Sequence, residues 1–297
     1  MRQGADGIGV GRGVGSKTRV PTPIVFVSSS FFHYLGPSFA VILFAYVPVL
    51  GVAWLRIASA AGVYAVWRRP WRSIKHWKSS DLGELVALGA IFAAMNSFFY
   101  LALAGIPLAT VGAIEFLAPV AIAAFGVRTG RNLLALLAAS AGAYLLSVVE
   151  LGQQPEALAF AFANCALFGG YILLGHRAAQ QGASSGINRV GTSMLFALVF
   201  ITPVGLFPAS ISFFQPMLLA AGVGVGVCSS VVAYVLDQIA MSRLPRATFA
   251  LMLSILPAMA TVIGALVLRQ FPTVQQLFGI AFIMAGVAAH QPAWGDA

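Results

Sequence analysis

Runs of apolar residues about twenty positions long, separated by short polar segments, recur along almost the whole chain. Ten such spans can be drawn, with limits near 22–43, 50–67, 82–104, 108–126, 132–149, 157–175, 190–207, 216–241, 247–268 and 273–290. A helix of about twenty residues rising about 1.5 Å per residue matches a hydrocarbon layer about 30 Å thick. Backbone polar groups in that layer are satisfied only by helix or by a closed barrel, and no alternating barrel pattern is present. The pattern therefore predicts an all-α integral membrane protein of ten transmembrane helices.

Composition agrees with that reading. Hydrophobic residues make up 60% of the 297 and charged residues 8%, proportions that place the chain in lipid rather than water. The net charge of +9 would suggest nucleic acid in a soluble protein, but its placement decides otherwise. Arg2, Arg12, Lys17, Arg19, Arg68, Arg69, Arg72, Lys75, Lys78, Arg128, Arg131, Arg177, Arg189, Arg243 and Arg246 all fall in segments on one side of the predicted spans. Only Arg269 falls on the other side, with Glu150 and Glu156, and Arg56 lies within a span. The positive-inside rule then puts both termini in the cytoplasm.

The basic, tryptophan-rich stretch from Trp67 to Lys78 is read as a cytoplasmic loop at the headgroups of anionic lipid, and no nucleic-acid partner is expected. Residues 1–20 are rich in glycine, but no strand precedes them and Arg12 breaks the G-x-G-x-x-G spacing, so a flexible cytoplasmic tail is expected. The first apolar stretch is long for a signal peptide. Cys165 and Cys228 sit inside spans and read as packing residues rather than a disulfide or metal pair.

Charge inside hydrocarbon costs about 2.5–3.5 kcal/mol per residue on insertion scales, so Arg56, Glu115 and Asp237 each call for a reason. Arg56 and Glu115 lie six or so residues into spans entered from the outside and hence at similar depth, about 10 Å below the boundary. They could form a structural ion pair, or a clamp in which Arg56 takes a carboxylate and Glu115 an ammonium. Asp237, about five residues from the cytoplasmic end of its span, reads first as a snorkelling boundary residue. Its alternative is a proton site, since desolvation favours the neutral acid. Asn96 and Asn164 lie mid-span with Tyr100 and Tyr171 beyond them, suited to interhelical hydrogen bonds or to lining a polar cavity. His33, deep in the first span, is expected to hydrogen-bond a neighbour. No metal set, triad or phosphate clamp is assembled, which argues against a membrane enzyme such as a lipid-phosphate hydrolase and against any cofactor.

The run Pro107-Leu108-Ala109-Thr110, closed by Pro119, recurs as Pro245-Arg246-Ala247-Thr248, closed by Pro257. The two copies open the fourth and ninth spans, and an odd displacement of five spans inverts the second copy in the bilayer. Inverted repeats are typical of transporters, which makes a passive channel the less favoured reading. The expected organisation is a tail over 1–20, a first five-helix repeat over 21–150 and a second over 151–297. Pro119 and Pro257 each free a backbone carbonyl within a span, and irregular backbone at that depth belongs against protein or a wet cavity.

Several stretches carry a resemblance: GVAWLR around Arg56, MNSFFYL from Met95, IPLATVGAIEFLAPVA from Ile106, YILLGHRA from Tyr171 and YVLDQIAMSRLPRATF from Tyr234. In these the chain resembles the EamA family of the drug/metabolite transporter superfamily, most closely its threonine/homoserine exporter branch. The resemblance implies two inverted five-helix halves, a central cavity and proton-coupled export of small metabolites. Arg56, Asn96, Tyr100, Glu115, Pro119, Tyr171 and Asp237 fall on motif positions, while Leu256 stands where that branch tends to carry Glu. Expected partners are an amino acid, the lipid bilayer and protons, with a homodimer left open and other metabolites or amphiphilic drugs as the alternative cargo. A bacterial inner membrane is the expected location. Substrate binding is expected from Arg56, Asn96, Tyr100, Glu115, Asn164 and Tyr171, and proton coupling from Glu115 or Asp237.

Overall fold

The computed structural model describes residues 21–74, 78–126, 129–151, 153–244, 249, 253 and 255–289, and among these it is helical throughout, without strands. The glycine-rich tail, Lys75, Trp77, Arg128, Arg246 and the second Pro-Arg-Ala-Thr run at 245–248 lie outside the described residues. In chain order the helices are α1 (Thr22–Leu43), α2 (Val49–Arg68), α3 (Trp71–Ile74), α4 (Ser79–Leu103), α5 (Leu108–Glu115), α6 (Leu117–Gly126) and α7 (Gly130–Leu151). They continue as α8 (Pro155–Ala179), α9 (Ala183–Phe213), α10 (Pro216–Gly226), a π-helical turn (Val227–Val232), α11 (Ala233–Met241), α12 (Ile255–Leu268) and α13 (Val274–Ala289).

Six runs are long and apolar enough to cross a membrane: α1, α2, α4, α8, α9 and the continuous stretch Pro216–Met241. Shorter apolar helical stretches occupy Leu108–Ile122, Leu137–Leu146, Ile255–Leu268 and Val274–Gly286. Apolar side chains cover outward faces as well as inward ones. Leu134 and Tyr144 on α7, and Val199 and Phe207 on α9, are exposed, as expected of helices whose outer solvent is hydrocarbon. The chain is thus a multi-pass membrane protein.

Hydropathy marked α9 too short. Its helix runs from Ala183 to Phe213 because the polar turn at its start is satisfied in place. Arg189 meets Asp81 at 2.7 Å and Glu84 at 3.5 Å, and Arg68 Nε donates to Asn188 Oδ1 at 2.6 Å. These contacts tie the start of α9 to the end of α2 and the start of α4.

The fourth apolar span loses one rung of its ladder at Pro119 but keeps helical backbone through Phe116. α5 ends at Glu115, Phe116 forms the joint, and α6 resumes at Leu117 with Pro119 as its third residue. Pro119 has no N–H to give the Glu115 carbonyl four residues earlier, so the ladder is interrupted beside the one acidic residue of the span. Pro257 is likewise the third residue of α12. The Gln270 side chain accepts from the Leu108 amide at 3.0 Å, capping the start of α5 from the other end of the sequence.

α1 lies at the centre, packed against α10, the π turn, α11 and α12. Small residues set the closest approaches. A Cβ on Gly36 would lie 2.6 Å from Ser229 Cβ, and one on Gly279 in α13 would lie 3.0 Å from the Gly142 carbonyl of α7. Glycine at these places lets helix backbones approach as they do in membrane bundles.

Candidate functional site

The intramembrane polar groups converge on one small cavity. It is lined by His33 of α1, Arg56 of α2, Met95, Asn96 and Phe99 of α4, Glu115 of α5, Asn164 of α8 and Tyr234 of α11. Its free volume is about 10 Å³, roughly the space of a single water. Four of the expected binding residues, Arg56, Asn96, Glu115 and Asn164, are therefore brought together. Tyr100 and Tyr171 are not among the lining residues.

Arg56 and Glu115 both face this space, but they do not form the ion pair that equal depth had suggested. Arg56 is held from the other side: Nε donates to Ser230 Oγ at 2.8 Å and Nη2 to the Ser229 carbonyl at 3.4 Å. Its guanidinium lies 5.3 Å from the centroid of the Tyr100 ring and 6.0 Å from that of Phe99, close enough for cation–π attraction. Tyr100 thus serves the site through Arg56. Both serines belong to the π turn, where a widened helix directs carbonyls away from the regular ladder, a feature often found at functional sites. The Tyr64 hydroxyl lies 3.3 Å from the Ser230 carbonyl and 3.4 Å from that of Val231. Gly226, at the last position of α10, packs its α-carbon against Ser59 Oγ and the Arg56 carbonyl, which brings the π turn within reach of the guanidinium.

Glu115 has neutral company. Oε2 accepts from the Tyr34 hydroxyl at 3.2 Å and Oε1 from Asn164 Nδ2 at 3.1 Å. His33 Nε2 lies 4.0 Å from Oε2, beyond hydrogen-bond range, so the histidine reads as a cavity wall rather than the simple bonded neighbour expected. Its ring packs edge-on to Tyr34 and near Phe168 and Tyr234. Asn96 Nδ2 donates to its own helix at the Phe92 carbonyl, 2.6 Å away, and the side chain lines the cavity. Asn164 lines it too and reaches Glu115 from another helix, and its Oδ1 has no hydrogen-bond partner.

Asp237 does not snorkel. It is buried, accepting at Oδ1 from Ser29 Oγ at 2.5 Å and at Oδ2 from the Tyr171 hydroxyl at 3.0 Å. Tyr171 therefore belongs to a second polar cluster, linked to the cavity through the ring of Tyr234, 5.2 Å from its own. α1 reaches both carboxylates, offering Ser29 to Asp237 and Tyr34 to Glu115.

Tyr234, Tyr34, Ser29 and the serine pair of the π turn are absent from the residues singled out in the sequence. Tyr234 stands three positions before Asp237, hence on the same helical face. Ser29 and His33 follow the i, i+4 spacing of one face of α1, with Tyr34 next in the chain to His33. Those spacings could have found them. Nothing in the spacing of Val227–Val232 announces a π turn.

Cys165 and Cys228 are free thiols. Among the described residues no group of three or more His, Cys, Asp or Glu could hold a metal, and the donors around the cavity are those of a site for a small polar molecule.

Comparison with known proteins fits this geometry. Residues 155–289 match the EamA-like transporter family. The threonine/homoserine exporter RhtA of Salmonella typhimurium (strain LT2) is 32% identical over 255 residues, which is 84% of this chain and 84% of the relative. RhtA of Escherichia coli (strain K12) is similar to the same extent and over the same shares. One crystal structure of a protein superposes with a TM-score of 0.57 over 91% of this chain and 96% of the other. At 18% identity that likeness is one of fold. With a family match across its second half and 32% of the aligned residues identical to those exporters over 84% of both chains, the protein belongs to the EamA family, in its RhtA-like branch, and is a transporter rather than an enzyme.

Proposed function

We propose that this transporter exports small amino acids of the threonine or homoserine kind across a bacterial inner membrane, with both termini cytoplasmic. The observation that carries this reading is the separation of charge in the cavity. A buried arginine and a buried carboxylate face one small space, each held by neutral groups and neither neutralised by the other. A zwitterion supplies the two missing counter-charges at once, its carboxylate meeting Arg56 and its ammonium meeting Glu115 and the open Asn164 Oδ1. Asn96 completes the polar wall, and Tyr100 and Tyr171 support it through Arg56 and Asp237. The names of the relatives supply the choice among amino acids.

The free space is far smaller than an amino acid, so transport requires the walls to part. We take the architecture to be ten spanning helices in two inverted repeats, 21–150 and 151–297, moving about the proline-weakened span at Phe116–Pro119 and its counterpart near Pro257 to expose the cavity to each side in turn. Leu256 leaves the second-half position without the acid usual in the branch, so the carboxylates available for proton antiport are Glu115 and Asp237. Asp237 is the better separated from the substrate.

Efflux from proteoliposomes preloaded with labelled threonine, threonine amide or the decarboxylated amine, with and without a pH gradient, tests the reading. Threonine should leave at least about tenfold faster than either analogue, because each analogue strands a buried charge. A proton gradient directed inward should accelerate it. Equal efflux of all three removes the zwitterion clamp, and robust dye efflux without threonine efflux moves the assignment to amphiphilic drugs.

A further inference from the structure

One polar atom on the cavity wall has no use in a clamp for the two charges of an amino acid. Tyr234 is fully buried and lines the cavity, yet its hydroxyl makes no hydrogen bond of good geometry, the side chain of Asn96 being the polar group beside it. Buried tyrosine hydroxyls nearly always find one. The ring cannot simply swing to a new partner. It is stacked on Phe92 at 5.0 Å, flanked by Tyr171 at 5.2 Å and edged by His33 at 6.3 Å. The ring is thus fixed on the cavity wall, and its hydroxyl is desolvated and poorly satisfied.

Its position relative to the charges is informative. Tyr234 follows Ser230, the partner of Arg56, by four residues, about one helical turn. Glu115 and Asn164 come from α5 and α8. Arg56, the Glu115–Asn164 pair and Tyr234 therefore approach the cavity from different helices, with the apolar Met95 and Phe99 completing the wall. That is a three-point site: a cation, an anion with an open amide acceptor, and a lone hydroxyl.

We propose that Tyr234 is a specificity-determining residue that hydrogen-bonds the side-chain hydroxyl of the exported amino acid. The proposal rests on the amino-acid reading above and adds to it a selection for hydroxylated side chains. A phenol both donates and accepts, so it can serve the branched hydroxyl of threonine and the terminal hydroxyl of homoserine. An apolar side chain of the same shape would leave the phenol as unsatisfied as it is without ligand, and sites that demand a hydrogen bond reject such isosteres strongly.

The test compares threonine with valine, and homoserine with norvaline, each pair differing by a hydroxyl in place of a methyl. Subsaturating efflux is measured from proteoliposomes carrying the wild type, Tyr234→Phe or Tyr144→Phe. The ratio within each pair is the readout, because it cancels differences in the amount of folded protein. The wild type should favour the hydroxylated member by about tenfold or more. Tyr234→Phe should bring both ratios to within about threefold of unity, while Tyr144→Phe, on the exposed face of α7, keeps the wild-type ratios. Wild-type ratios near one overturn the proposal. So do ratios left unchanged by Tyr234→Phe, which would mean that the hydroxyl is used only internally, for instance by the neighbouring Asn96. Efflux of none of the four by the wild type removes the amino-acid reading, a result distinct from loss of selectivity within it.

Discussion

Glu115 and Asp237 are both buried carboxylates, but their surroundings differ. Glu115 opens onto the cavity and accepts from Tyr34 and Asn164, whereas Asp237 is closed in by Ser29 and Tyr171. An amide at either position keeps one acceptor oxygen, so neither change should unfold the protein, whereas truncation to alanine would strand two donors at about 1–3 kcal/mol each. Glu115→Gln should therefore accumulate normally but lose threonine efflux by at least about a hundredfold, because a neutral amide gives no counter-charge to an ammonium. Asp237→Asn should retain exchange of labelled for unlabelled threonine across vesicles while losing acceleration by a pH gradient. Wild-type efflux from Glu115→Gln, or an intact pH response in Asp237→Asn, would reverse these assignments.

At the scale of elements, the π turn at Val227–Val232 is what holds the arginine. It presents Ser230 Oγ and the Ser229 carbonyl to Arg56, and it can do so only because α2 and α10 touch at Gly226. A Cβ there would collide with Ser59 Oγ and the Arg56 carbonyl. Gly226→Ala is expected to destabilise the protein by about 1–3 kcal/mol, the usual range for overpacking. The detergent-solubilised variant should show a lower melting temperature and weaker threonine protection. Gly224→Ala, with open space at its Cβ, is the control and should behave as wild type. A Gly226→Ala protein as stable and as well protected as the control would mean that the contact does not position Arg56.

For the whole molecule, the sidedness of loops decides whether the two halves are inverted. With Cys165 and Cys228 replaced by alanine, a single cysteine at Arg72 and one at Gln153 should label with an impermeant reagent from opposite faces of the membrane. Arg72 should be reached from the cytoplasm, as the basic residues of its loop require. Labelling of both from one face would undo the inverted arrangement and the shared depth of Arg56 and Glu115. The contacts of Arg68 and Arg189 with α4 and α9 lie at the same end of the bundle as Arg72, and the proposed alternating access requires that end to loosen in one of its two states.

The sequence by itself determined what depends on local composition. Long apolar runs without alternation are helices in lipid, and an arginine, a glutamate and two asparagines within them are costly, so the four residues that the structure gathers at one cavity, Arg56, Asn96, Glu115 and Asn164, already stood out in the sequence. Helix ends were less so, since the polar start of α9 is stabilised by α2 and α4 and not by its own hydropathy. Pairing was not legible at all. Equal depth made Arg56 and Glu115 look like partners, but depth fixes only one coordinate, and the azimuth of each helix and the widened π turn gave Arg56 to Ser230 and Glu115 to Asn164. In the same way the position of Asp237 near a span end suggested the interface, and only the packing of α1 across α11 buried it against Ser29. Tertiary structure decided the partners because hydrogen bonds are directional and short, while hydropathy reports only which solvent a segment prefers.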